Sequence, residues 1–221
     1  MNDYKLVIFD WDGTLMDSIG RIVSSMQAAA HHYKLTIPTV MQVKGIIGLS
    51  FPKAFELLFP DASEEKIKDI FSQYRYQYLE EVTTPAPLFE NALSLLKLLN
   101  DNNKLLAVAT GKSRQGLERV FTSTQTADFF HASRSGDEAN SKPDPEMLIS
   151  LLDELNLTAK QAVMIGDTSY DMEMAQAAGI DRIGITLGVH GREILNGYQP
   201  VAIVDSLLEL QTLLLPSVQS R

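Results

Sequence analysis

The chain of 221 residues contains no cysteine. That excludes disulfides, thiolate metal sites and cysteine nucleophiles together, and it suits a reducing compartment. Long apolar runs are also missing. The segment before Asp10 has an apolar run of only four residues, 6–9, too short for a signal-peptide core. Nothing later approaches the ~18 apolar residues of a membrane span. Positive charge is scarce, with 19 Lys and Arg against 28 Asp and Glu and a formal net charge of −9. A surface of that sign repels nucleic acid and anionic membranes, and no basic run offsets it locally. The expectation is a cytoplasmic monomer or homodimer with neither nucleic acid nor membrane as partner.

What is present is an alternation of two patterns. Short apolar runs at residues 6–9, 105–109, 162–165, 182–186 and 201–204 read as strands covered on both faces. Helical spacing fills 89–101, 114–123, 145–155, 170–178 and 206–214 between and after them. Asp144-Pro145 supplies a capping carboxylate and a first-turn proline, and Gly179 stands where a left-handed helix end belongs. Such alternation predicts a parallel, doubly wound α/β sheet. One stretch departs from it. Residues 19–33, 40–47, 51–58 and 64–80 read as four helices with no strand among them, and the proline-rich segment 83–87 then resembles a hinge. The predicted division is a core of 1–16 and 83–221 with a helical insert, 17–82, placed as a lid after the first strand.

Four segments carry chemistry, each at the end of a predicted strand or start of a helix. In Asp10-Trp11-Asp12-Gly13-Thr14 the two carboxylates leave the strand on one side, and Gly13 frees the backbone to turn. Strand carboxyl ends are where open α/β sheets bind ligands. Taken alone, such a pair is as well explained by helix capping. Thr110-Gly111 follows the second run, where a hydroxyl and free N–H groups can hold phosphate oxygens. A Walker A loop is excluded because Leu106 stands where its first glycine would be. In Ser141-Lys142-Pro143-Asp144-Pro145 a stiff loop fixes Lys142, whose ammonium would limit repulsion between carboxylates and a phosphate. Gly166-Asp167 through Asp171 brings a carboxylate from another strand end, with Asp171 one helical turn on, as metal neighbour or cap. Sparse oxygen ligation of this kind suits magnesium.

In this order the four segments resemble the haloacid dehalogenase superfamily of phosphohydrolases along the whole chain. The resemblance implies a Rossmann-like core with a central parallel sheet and a four-helix cap. It is nearest the subgroup of phosphoglycolate phosphatases and β-phosphoglucomutases. It also implies roles: Asp10 as the nucleophile that becomes an aspartyl-phosphate, and Asp12 as general acid and base. Asp10, Asp167 and the backbone carbonyl of Asp12 would hold Mg2+, with Asp171 supporting the metal from behind. Thr110, Gly111 and Lys142 would bind the phosphoryl group. The expected reaction is hydrolysis of a small phosphorylated metabolite resembling phosphoglycolate. A phosphomutase shares every motif, whereas dehalogenation does not need the acid at Asp12.

Other residues invite weaker readings. Lys44 and Gly48 lie in the insert where capped relatives face substrate, although a solvated helix face equally explains the lysine. Lys112 and Arg114 read as a solvated helix start, His31-His32 as surface, and Trp11 as core. A receiver module of a signalling protein also phosphorylates an aspartate on a doubly wound sheet, but after its third strand and without a helical insert.

Overall fold

The computed structural model describes residues 3–215. Six parallel strands form one sheet: β1 (Leu6–Phe9), β2 (Leu105–Ala109), β3 (Ala132–Arg134), β4 (Ala162–Gly166), β5 (Asp181–Ile185) and β6 (Ala202–Val204). Their spatial order is β3-β2-β1-β4-β5-β6, the Rossmann order, which reverses direction at β1. This order, with Asp10 following the central first strand, sets the receiver reading aside.

The uninterrupted apolar sequence of β1 follows from its place in the sheet. Val7 and Phe9 point to one face, where they pack with α5 (Ala92–Asp101), α6 (Arg114–Thr124) and α10 (Leu207–Leu214). Leu6 and Ile8 point to the other, against α7 (Glu146–Glu154) and α8 (Ser169–Ala177). Each fully buried side chain of this kind contributes about 1.5–3 kcal/mol, so neither face tolerates a polar residue. Trp11 belongs to the first of these cores. Its ring meets Phe121 edge-on at 5.3 Å, and its indole N–H donates to the Met16 sulfur at 3.3 Å.

Between β1 and α5 lie α1 (Ile19–His32), α2 (Val40–Lys44), α3 (Phe51–Leu58) and α4 (Glu64–Tyr76). They bury a separate cluster that includes Met26, Val43, Phe55 and Ile70. The chain enters and leaves this helical layer side by side. Asp17 N–H donates to the Pro87 carbonyl at 2.8 Å, and Phe89 N–H to the Leu15 carbonyl at 2.9 Å.

Three features depart from the sequence expectation. The three-residue edge strand β3 and the short helix α9 (Arg192–Asn196) have no apolar run to announce them. The fourth insert helix also changes pitch, because α4 passes into a π-helical turn at Gln77–Glu81. There the Arg21 guanidinium donates to the carbonyls of Tyr78 and Val82 at 2.9 and 3.0 Å. Among the described residues no helix is long and apolar enough to cross a membrane.

Candidate active site

Strand register brings the site together. Phe9 lies opposite Val108 on one side and Ile165 on the other, so β1, β2 and β4 end nearly level. The next residues outward are Asp10, Thr110 and Asp167, all buried. Asp10 N–H extends the ladder by donating to the Ile165 carbonyl at 2.9 Å, which fixes where its side chain starts.

Lys142 joins this group from the loop before α7. Its ammonium is fully buried and donates at 2.7 Å to both Asp10 Oδ1 and Asp171 Oδ1. Burial alone would favour the neutral amine, but the two carboxylates outweigh it and hold Lys142 above its ordinary range. The surrounding turn is fixed by Asp144, whose Oδ1 accepts from Glu146 N–H at 2.9 Å. Asp171 takes the capping role that the sequence offered. Its Oδ2 accepts from Thr168 N–H and hydroxyl at 3.0 and 2.7 Å, closing a capping box, while Oδ1 faces Lys142. Gly166 permits that approach, since a Cβ there would lie 2.3 Å from Asp171.

Asp167 is gripped on all sides. The Thr14 hydroxyl donates to Oδ1 at 2.9 Å and Val189 N–H to Oδ2 at 2.8 Å. Gly13, at φ +83°, and Gly188 flank the carboxylate so closely that a Cβ would stand 2.4 or 1.9 Å from Oδ2. Carboxylate oxygens of Asp10, Asp167 and Asp171 all fall within 4.8 Å of one another. Burial, reinforced by Asp171 and Asp12 and opposed by Lys142, pushes the Asp10 carboxyl up to about 7. Burial and its acidic neighbours Asp10 and Asp171 push Asp167 well above its ordinary range. Asp10 Oδ2 is buried without a hydrogen-bond partner, the single such side-chain atom among the described residues.

A crowded cluster of buried carboxylates is unfavourable by itself and is relieved by a hard divalent cation. The residues therefore fit magnesium, with Asp10 and Asp167 as carboxylate donors. The Asp12 carboxylate takes no part in this cluster. It turns instead to the Ser18 hydroxyl and to the Lys112 ammonium at 2.9 Å.

Lys112 is where sequence reasoning misjudged a residue. It is not a solvated helix start but a buried cation, held above its ordinary range by Asp12 against the effect of burial. Its ammonium also lies 5.5 Å from the Tyr78 ring centre. The available signal was its position two residues past Thr110, on the same side of the departing strand. Arg114 behaves closer to expectation, partly exposed and paired with Glu138. Thr110 is buried and its hydroxyl accepts from Lys112 N–H at 3.3 Å. Gly111 is required by close contact, since a Cβ would lie 2.3 Å from the Leu49 carbonyl. Gly48, at φ +102°, lines the cavity over Asp10; Lys44 is half-buried and does not line it. His31 and His32 are exposed.

A family model described as "Haloacid dehalogenase-like hydrolase" matches residues 7–185. The chain belongs to that family. It is 32% identical over 209 residues to the protein named "Probable phosphatase IndB" in Dickeya dadantii, covering 93% of this chain and 91% of the relative. It is 29% identical to a phosphoglycolate phosphatase of Aliivibrio fischeri, covering 96% and 97%. A haloacid dehalogenase-like family protein from Streptococcus pneumoniae has the same fold, with a TM-score of 0.81 at 25% identity over 96% of this chain and 99% of that one. Within the family the chain is an enzyme of the phosphatase kind, a phosphoric monoester hydrolase.

Proposed function

We propose that the enzyme is a magnesium-dependent phosphatase of small phosphomonoesters that works through an aspartyl-phosphate on Asp10. One observation carries this reading: Asp10 is anchored through Oδ1 to Lys142 while Oδ2 is left without a partner at the mouth of the strand. An oxygen held this way is a nucleophile with its direction set. Magnesium bound by Asp10, Asp167 and the Asp12 carbonyl would supply charge neutralisation for the carboxylates and the incoming dianion.

The steps follow from the side chains. Asp10 Oδ2 forms a bond to phosphorus as the ester P–O bond breaks, and Asp12 gives the leaving oxygen its proton. Asp12 then takes a proton from water, which attacks the same phosphorus. The acyl-phosphate bond breaks, releasing inorganic phosphate and restoring Asp10. Thr110, the Gly111 N–H and Lys142 hold the phosphoryl oxygens, and Asp171 keeps Lys142 in place. Lys112 and Ser18 hold Asp12 where it faces the cavity. In this reading residues 1–16 and 83–221 are the catalytic core and 17–82 the cap, with Gly48 at their contact. Lys44 stands outside the substrate cavity.

The experiment is phosphate release from a panel of phosphomonoesters with and without magnesium. Phosphoglycolate is the reference compound, chosen from the sequence resemblance and the named relative. Magnesium-dependent release supports the reading. No release, with phosphate retained on Asp10, would instead favour the phosphomutase that shares these motifs.

A further inference from the structure

We infer that the ester's leaving group carries a second anionic group, a carboxylate or phosphate, held between Arg75 and Arg119 where the helical layer meets α6. This rests on the phosphatase reading above and deepens it by naming the class of substrate.

The cavity over Asp10 and Asp12 adjoins a slot of about 50 Å³, and the two share Phe51, Tyr74 and Lys112. The slot is a gap between two helix faces. On one side α4 and the π-helical turn after it present Phe71, Tyr74, Arg75 and Tyr78. On the other, Ser113, Gly116 and Arg119 belong to α6 and the residue before it. Three- and four-residue spacing puts each set on one stripe of its helix. Space of this order takes roughly three or four waters, or one small anionic group in their place. Gly116 keeps the floor open. A Cβ there would meet the Ser113 hydroxyl oxygen at 3.3 Å and the Lys112 Cβ at 3.8 Å, with no atom of α4 within 4 Å.

The charge of the slot is the reverse of the molecule's. In a chain of net charge −9, none of the described residues lining it is acidic, and Arg75, Lys112 and Arg119 are cationic. Lys112 is taken by Asp12 at 2.9 Å. The arginine ion pairs among the described residues engage Arg114, Arg134 and Arg192, and neither arginine of the slot. Half-buried Arg75 donates to the Gln115 side-chain carbonyl across the gap, which aims its guanidinium without neutralising it. Arg119 is exposed, so an anion reaches it with part of its hydration kept. Two guanidinium groups without a carboxylate suit the planar oxygens of a carboxylate or the oxygens of a phosphate. The larger chamber of about 390 Å³ that shares Phe51 and Gly111 with the catalytic cavity is a poorer place for that charge. Its Lys68 stands beside Glu56, Glu64 and Asp137.

The position of Arg119 sets the length of the leaving group. It stands about 7–8 Å along α6 from Arg114, the first residue of that helix. The second anion is therefore several bonds from the ester oxygen, further than the carboxylate of phosphoglycolate.

The test compares kcat/KM for 4-(phosphonooxy)butanoate, butyl phosphate as its uncharged counterpart, and phosphoglycolate. The four-carbon acid should exceed both, and butyl phosphate by at least about tenfold. Arg119→Gln, which removes the cation, and Gly116→Leu, which fills the slot, should each lower the ratio of that acid to butyl phosphate by about tenfold, chiefly through KM. The comparison on the unaltered enzyme decides the matter even if a variant does not fold. A four-carbon acid no better than butyl phosphate or phosphoglycolate overturns this inference and leaves the phosphatase reading standing. An unchanged ratio in either variant, shown by its melting curve to be folded, also overturns it. So does a faster hydrolysis of butyl phosphate when butanoate is added as a separate molecule, lost in Arg119→Gln, since the slot would then serve a free anion. Release of phosphate from none of the three esters overturns both readings.

Discussion

At the residue scale, the site is a problem of charge. Asp10, Asp167 and Asp171 are buried together, and one ammonium, Lys142, answers two of them. Removing one partner of a buried ion pair leaves the others uncompensated and costs about 3–5 kcal/mol. Lys142→Met should therefore lower unfolding stability by about that amount as well as abolish turnover, as urea denaturation and an activity assay would show. Asp10→Asn should instead leave the fold intact while reducing kcat by roughly 10⁴-fold or more. Substantial residual activity in that variant would remove Asp10 as nucleophile. Asp10, Asp12 and Asp167 were readable in the sequence because each follows a short apolar strand run, and Lys142 because a stiff proline loop precedes a helix. Lys112 and Ser18 were not. What makes them matter is a partner brought up by the fold from elsewhere, as Lys112 meets Asp12, and no local spacing records that.

At the scale of elements, loops do the positioning. The turn at Gly13 and the loop at Gly188 close on Asp167 from two sides, with no space for a side chain at either. Magnesium that binds only the folded enzyme stabilises it by about 2.7 kcal/mol at a hundredfold excess over Kd. For a chain of this length that amounts to a rise in Tm of roughly 5–10 °C. Gly188→Ala should displace Asp167 and remove most of that rise, while EDTA should silence the parent enzyme. An undiminished magnesium shift in the variant would mean that Asp167 does not hold the metal.

The loop after β3 gives a dependence on pH. The Arg114 guanidinium, with Ser135, holds Glu138 down at about 2, below its ordinary 4.5. A lowered acid stabilises the fold above its ordinary value and loses that contribution as pH falls toward 2. Because the pair is partly exposed, it is worth at most about 1 kcal/mol. Glu138→Gln should be less stable than the parent at pH 7, and the gap should close as the solution is acidified. Five of the six strands were legible from their apolar runs. The edge strand β3, Ala-Ser-Arg, was not, because an edge needs no continuous hydrophobic surface to pair on one side. The π-helical turn was illegible for another reason, since the side chain that meets its carbonyls, Arg21, lies on another helix.

At the scale of the whole molecule, the helical layer rests directly on the segments that follow β2, β3 and β4. Leu49 and Gly48 press their carbonyls against Gly111, Ser50 N–H donates to the Ser141 hydroxyl at 2.8 Å, and the Tyr170 hydroxyl reaches the Gly45 carbonyl at 2.8 Å. The helical layer and the loop at Gly111 therefore pack directly against each other, with no space for a side chain between them. Gly111→Ala should hold the two layers apart and lower kcat/KM on the order of 10²-fold with little change in Tm. An unaltered kcat/KM would show that this contact is not needed for turnover. The four-helix pattern of the insert was legible in sequence, but the surface it turns toward the core was not, since apolar residues at helical spacing serve a core and a ligand cavity alike.

The most direct measurement of the central claim is to look for the covalent intermediate. The Asp12→Asn enzyme, mixed with magnesium and an ester bearing an activated leaving group, should accumulate phosphate on the protein. Borohydride reduction and peptide mass spectrometry should then place it at Asp10. Phosphate found on another residue, or rapid turnover by this variant with no protein-bound phosphate, would contradict the account.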